Sequence, residues 1–180
     1  MRTIRNISFA VVMLSLVACG GDSASKDKAE KDSKANTEKT TTEETEVIAE
    51  PIKEEVEIHL IAKGETMAEI AFDPTNLEVP AGSHVKMVFR NESSAAGMLH
   101  NFVLVVSGSG QDIATAGIQA GPDSEYVPLD DDRVIAYTKV LDMGEEIVFE
   151  FEAPTEKGTY HYICTYPGHY PLMVGRLNVI

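Results

Sequence analysis

Polar and apolar residues alternate along Glu55-Val-Glu-Ile-His-Leu-Ile-Ala62, as in a strand with one face in a core and one in water. Similar short runs recur at Thr75–Val79, His84–Arg90, Phe102–Val106, Arg133–Val140, Glu146–Glu152, Gly158–Cys164 and Val174–Val179. Turn-forming residues separate them: Asp73-Pro74, Pro80-Ala81-Gly82, Ser107-Gly108-Ser109-Gly110, Asp142-Met143-Gly144 and Lys157-Gly158. Many short strands with regular punctuation predict an all-β Greek-key sandwich. One helix is predicted, Gln111–Ala120, with Asp112 near its start and Gly121-Pro122 as a stop. It fills the longest gap between strands, as a flap over one face.

The pattern is different before residue 53. Arg2 and Arg5 precede an apolar run, Ile7–Ala18, that is too short to span a bilayer comfortably. The run ends in Leu16-Val17-Ala18-Cys19-Gly20, which resembles a bacterial lipobox. Residues 1–18 are therefore expected to be a signal peptide, and Cys19 the lipidated residue of the mature chain. Two or three acyl chains there would anchor stably, where one would not. Gly20 to about Glu50 is rich in Lys, Glu, Asp, Ser, Thr and Ala and has no aromatic residue. Such a stretch cannot bury enough apolar surface to offset its ordering entropy. Residues 19–52 are expected to be a flexible tether, with a typical span of about 30 Å. The globular domain is expected at 53–180.

Charge narrows the partners. The chain has 15 basic and 29 acidic residues, a net of −14. Loss of Arg2 and Arg5 with the signal would leave 13 against 29, a net of −16. That argues against nucleic acid and permits a basic protein partner. If Cys19 carries lipid, Cys164 has no disulfide partner. A lone thiol outside the cytoplasm is a liability unless it is buried or bound.

The stretch Cys164-Thr-Tyr-Pro-Gly-His169-Tyr-Pro-Leu-Met173 sets a thiol, an imidazole and a thioether on one loop between two strands. Soft sulfur with nitrogen suits copper better than magnesium or calcium, which prefer oxygen. Two histidines, one cysteine and a long axial methionine form the blue copper arrangement. His100, at the head of His100-Asn-Phe-Val-Leu-Val-Val, is the best second histidine. Taken singly, Cys164 would be an inert buried thiol, Met173 a core residue and His100 structural; their joint spacing favours a site. His59, His84 and His161 are expected to be surface or packing residues. His161 is an odd number of residues before Cys164, so its side chain faces away from the thiol.

At these residues the chain resembles azurin and the related auracyanins, of the cupredoxin family. Azurins carry a nearly identical Cys-Thr-Phe-Pro-Gly-His loop followed by Met, and His-Asn at the upstream ligand. Asp130–Lys139 is also similar to the azurin run before its late strands. The resemblance covers about Glu55 to Ile180. It implies one copper ion, cycling between Cu(I) and Cu(II), held by His100, Cys164, His169 and weakly by Met173. The backbone carbonyl of Leu99, where azurins usually have glycine, would lie on the opposite axial side. The N–H groups of Asn101 and Tyr166 would point at the Cys164 sulfur. An apolar rim of Met98, Pro167, Tyr170, Pro171 and Leu172 would dock redox partners, such as c-type cytochromes or membrane electron-transfer complexes. The implied function is electron transfer, not enzymatic turnover, by a monomeric head in the periplasm or extracytoplasmic space, lipid-anchored to a bacterial membrane. The alternative is a copper storage or delivery lipoprotein.

Overall fold

In the computed structural model, residues 53–180 are described. The expected signal peptide, the lipidation at Cys19 and the expected tether all lie outside the described residues. Nine strands follow in order: β1 Glu55–Lys63, β2 Ala71–Asp73, β3 Asn76–Val79, β4 His84–Asn91, β5 Val103–Val105, β6 Val134–Tyr137, β7 Glu146–Glu152, β8 Gly158–Ile163 and β9 Val174–Val179. Helix α1, Gly110–Ala120, and a single 3-10 turn, Pro122–Ser124, stand between β5 and β6.

The strands form two sheets, ordered β2-β1-β4-β7 and β3-β9-β8-β5-β6. The chain changes sheet repeatedly, which gives the interleaved connections of a Greek-key sandwich. The strands β1 and β4 pair in parallel, as do β3 and β9. Alternation places Ile58, Leu60, Ala62, Val85, Met87 and Phe89 inward from the first sheet, against Tyr162, Leu177 and Val179 from the second. A smaller apolar cluster on the far side of the second sheet receives Ile113 and Ala114 of α1 against Val103, Val105 and Ile163. The helix thus covers the outer face of that sheet.

The sequence expectations hold for β1, β3, β4, β5, β7, β8, β9 and α1 within a residue at each end. Three residues of β2 were too short to show alternation. The expected run Arg133–Val140 pairs only over Val134–Tyr137. Beyond it Thr138 turns to its neighbour: its N–H donates to the Phe102 carbonyl at 2.9 Å, and its hydroxyl accepts from the Phe102 N–H at 3.1 Å.

Gly175 lies directly across from Tyr162 in the β8–β9 register. The Tyr162 ring lies over that position, so a methyl group there would collide with it. Tyr162 is fully buried and stacks on Phe102, with ring centroids 5.7 Å apart. Gly175→Ala is therefore expected to destabilise the domain by about 1–3 kcal/mol through overpacking, read as a lower urea midpoint. An unchanged midpoint would mean that the ring has room to move.

Candidate metal centre

His100 follows the turn Ser93–Leu99 and is held by a two-way bridge to Leu141. Its N–H donates to the Leu141 carbonyl at 3.2 Å, and the Leu141 N–H donates back at 2.7 Å. Asn91 braces the same turn. Its side-chain amide donates to the carbonyls of Met98 at 2.7 Å and Leu141 at 3.2 Å, while its oxygen accepts from the Ser93 N–H at 3.0 Å. Sequence reasoning missed Asn91. The signal was present, because Asn91 continues the inward register of Val85, Met87 and Phe89, where a polar side chain needs a reason.

The second segment joins β8 to β9. Gly168, at φ +84°, closes a turn in which the His169 N–H donates to the Tyr166 carbonyl at 3.0 Å. The N–H of Met173 donates to His169 at 3.0 Å, and the Met173 carbonyl accepts from the Cys164 N–H at 3.2 Å. The loop therefore closes on itself before β9 begins.

Asn101 joins the two segments. Its amide donates to the Thr165 hydroxyl at 2.8 Å, and its oxygen accepts from the Thr165 N–H at 2.9 Å. Asn101 follows His100 and Thr165 follows Cys164, so this double bond sets the spacing of the side chains beside it.

Three donor atoms converge as a result. The Cys164 Sγ is 4.0 Å from His100 Nδ1 and 3.6 Å from His169 Nδ1, and the two Nδ1 atoms are 3.2 Å apart. Bonds of about 2.0–2.3 Å from one ion to each donor would span these separations at angles near trigonal. His100 and Cys164 are fully buried, and His169 is 2 % exposed. Met173 is fully buried in the same apolar cluster as Cys164. Leu99 is half-buried.

Burial, and to a smaller degree the nearby His169, lowers the pKa of His100 from 6.5 to about 4. Burial lowers that of His169 as well. Both imidazoles are thus held neutral, the form that binds a metal. Burial pushes the Cys164 thiol up to about 12, while N–H groups of Asn101 and Tyr166 donate to its sulfur and pull the other way. A thiol so reluctant to ionise beside two imidazoles reluctant to protonate suits a positive ion that replaces the proton. The donor set therefore fits copper.

Around the loop, Pro167, Pro171 and Leu172 are exposed, Leu172 by 50 %. Met98 is half-buried against the core. Tyr170 leans away, over Gly110 and the cluster beneath α1. Met67, 43 % exposed and within van der Waals reach of Gly168, joins this rim. Nothing in the spacing points to this contact, because Met67 lies about a hundred residues from the loop that it meets. A carboxylate two residues earlier, Glu65, ties its turn to Ser94 through N–H and hydroxyl bonds of 3.0–3.2 Å. The remaining histidines lie elsewhere. His59 pairs with Glu57, and His84 with Glu150 and Glu152, on the outer face of the first sheet. His161 is on β8 beside Tyr162, whose ring faces the core.

A histidine whose folded pKa is depressed binds fewer protons folded than unfolded between its two values. Stability from His100 is therefore complete above about 6.5 and is lost as pH falls towards about 4. The urea midpoint of the metal-free protein should fall across that window, and by more than that of His100→Asn. Equal slopes for the two proteins would refute this.

Residues 56–180 match the family described as copper-binding proteins of the plastocyanin/azurin type. The chain is 44 % identical over 126 residues to Auracyanin-A of Chloroflexus aurantiacus, spanning 69 % of this chain and 74 % of that one. It is 33 % identical over 124 residues to Azurin iso-2 of Methylomonas sp. strain J, spanning 66 % of this chain and 94 % of that one. The solved structure of Auracyanin A, described as a "blue" copper protein, superposes with a TM-score of 0.62 at 43 % identity, covering 70 % of this chain and 99 % of that one. A reduced auracyanin from Roseiflexus castenholzii gives 0.62 at 35 % identity, covering 69 % and 96 %. The sandwich, the converging donors and these similarities agree: the chain belongs to the plastocyanin/azurin family of copper-binding proteins.

Proposed function

We propose that this chain is a one-electron carrier and not an enzyme. His100, Cys164 and His169 would hold a single copper ion, with Met173 as a weaker further ligand and the Leu99 carbonyl as a weaker contact still. Copper, when bound, supplies a couple that changes by one electron. The chain's own residues keep the donors in place. The observation that carries the reading is the convergence of three fully or almost fully buried donors, fixed by backbone and Asn101 hydrogen bonds. Such a frame resists rearrangement between oxidation states. With these ligands in place no position would be left open for a substrate, whereas catalytic metal sites keep one. Storage or delivery would need exchangeable ligands, and burial of all three donors opposes that.

The sulfur's two N–H bonds, from Asn101 and Tyr166, stabilise negative charge on it and would help set the potential. Electrons would pass at the rim formed by Met67, Met98, Pro167, Pro171 and Leu172, with Tyr170 behind it. Small apolar contacts of this kind suit brief encounters. The described residues include 8 basic and 20 acidic side chains, which favours a basic partner such as a c-type cytochrome or a membrane complex. The lipobox-like run at Cys19 supports a lipid-anchored protein with its head outside the cytoplasm. A tether of about 30 residues would raise the head's local concentration near membrane-bound partners.

Loading with cupric ion should give one tightly bound equivalent and an intense visible band from sulfur-to-copper charge transfer. Cys164→Ser should abolish the band, because a hydroxyl cannot replace the thiolate. Met173→Leu should keep the band and raise the reduction potential. A colourless wild-type protein would overturn the copper reading, and loss of copper from Met173→Leu would overturn the role of Met173 as a weak ligand.

A further inference from the structure

Glu125 and Tyr126 are consecutive non-glycine residues in the left-handed backbone region, at φ 55° and 57°. Side chains disfavour this conformation, and it persists where the surroundings over-determine it. Here they do. The Tyr126 carbonyl is pressed so closely on Gly117 of α1 that a methyl group there would collide with it. The Tyr126 N–H donates to the Gly121 carbonyl at 3.0 Å. Neither residue is a metal ligand, and the ligand motif does not include them.

Their contacts run to both halves of the metal centre. The Glu125 carbonyl accepts from the Asn101 side-chain amide at 2.8 Å. The Glu125 carboxylate accepts from the Val140 N–H at 2.7 Å. Val140 directly precedes Leu141, the bridge partner of His100. On the other side the Tyr126 ring meets Tyr166 edge-on at 5.3 Å, and Tyr166 packs on the His169 ring at 4.9 Å. Asn101 and Tyr166 are the two residues whose N–H groups donate to the Cys164 sulfur. One strained dipeptide therefore touches both of the sulfur's hydrogen-bond donors, from outside the site.

We propose that Glu125–Tyr126 is a positioning element that holds both N–H donors on the Cys164 sulfur and closes the space around it. The proposal rests on Cys164 being the metal-binding thiol, and its test is arranged to stand apart from copper binding. Glu125 acts through Asn101 and the Val140–Leu141 segment, Tyr126 through Tyr166. The left-handed backbone lets one residue present its carbonyl and its carboxylate to two different segments, while the next turns its ring to a third.

The test measures alkylation of Cys164 in the full-length, metal-free protein, read by peptide mass spectrometry so that Cys19 does not interfere. Loss of this partly buried hydrogen bond lowers the cost of local opening, so Glu125→Ala should be alkylated roughly tenfold faster. Glu125→Gln keeps an oxygen acceptor for Val140 and should stay near wild type. Glu125→Gly relieves the backbone strain, so it folds even if the alanine variant does not, and it should react as fast as Glu125→Ala. A core variant far from the ligand loop, Val79→Ala, should leave the alkylation rate unchanged. In the copper-loaded proteins the visible band and the hyperfine splitting should shift for Glu125→Ala and Glu125→Gly and return with Glu125→Gln. Wild-type alkylation in both truncated variants would overturn the proposal. So would Glu125→Gln behaving as Glu125→Ala, or Val79→Ala exposing Cys164 as strongly. Failure of the wild-type protein to bind copper would instead remove the proposed function, leaving the alkylation comparison intact.

Discussion

The metal centre depends on one buried amide. Asn101 exchanges two hydrogen bonds with Thr165, a residue 64 positions away in sequence, and those bonds fix the distance between the two ligand-bearing segments. Each segment is stiff by itself, one through its bridge to Leu141 and the bracing of Asn91, the other through the turn at Gly168. Stiffness of the parts does not fix their separation. An amide with donor and acceptor on one planar group can do so, because both bonds must form at one relative placement of the segments.

Bringing two imidazoles and a thiol together in an apolar interior is costly without an ion. Among the described residues, the Nε2 atom of His100 is buried without a hydrogen-bond partner, and an unpaired buried polar atom costs about 1–3 kcal/mol. The sandwich tolerates this because its two sheets supply a continuous apolar core around the site. Metal binding is linked to folding in such a frame, since every ligand must be free of its proton before it can coordinate.

Much of this was legible in the sequence, for different reasons in different places. Alternation marked β4 and β7 because each has one face in the core and one in water. The donor loop was legible because Cys164 and His169 sit in one short run, and the structure brings both to His100. His100 was found through its place at the head of an apolar strand. Asn91 and Glu125 were not found. Their work lies in contacts with backbone atoms far along the chain, and a carbonyl or an N–H has no residue-specific signature. Met67 belongs to the same class, since its meeting with Gly168 comes from folding and not from spacing. The strand β2 escaped because three residues cannot display a period of two.

The edge strand β7 has a consequence of its own. Its outward positions are Glu146, Val148, Glu150 and Glu152, and among the described residues its other side has no neighbouring strand in the sheet. A second copy adding itself there in antiparallel fashion about Phe149 would bring Glu146 of one molecule against Glu152 of the other. Repulsion of like charges directly opposite one another discourages that pairing. Copies of this domain at high local concentration would thus stay separate along the border where sheets most readily merge into aggregates.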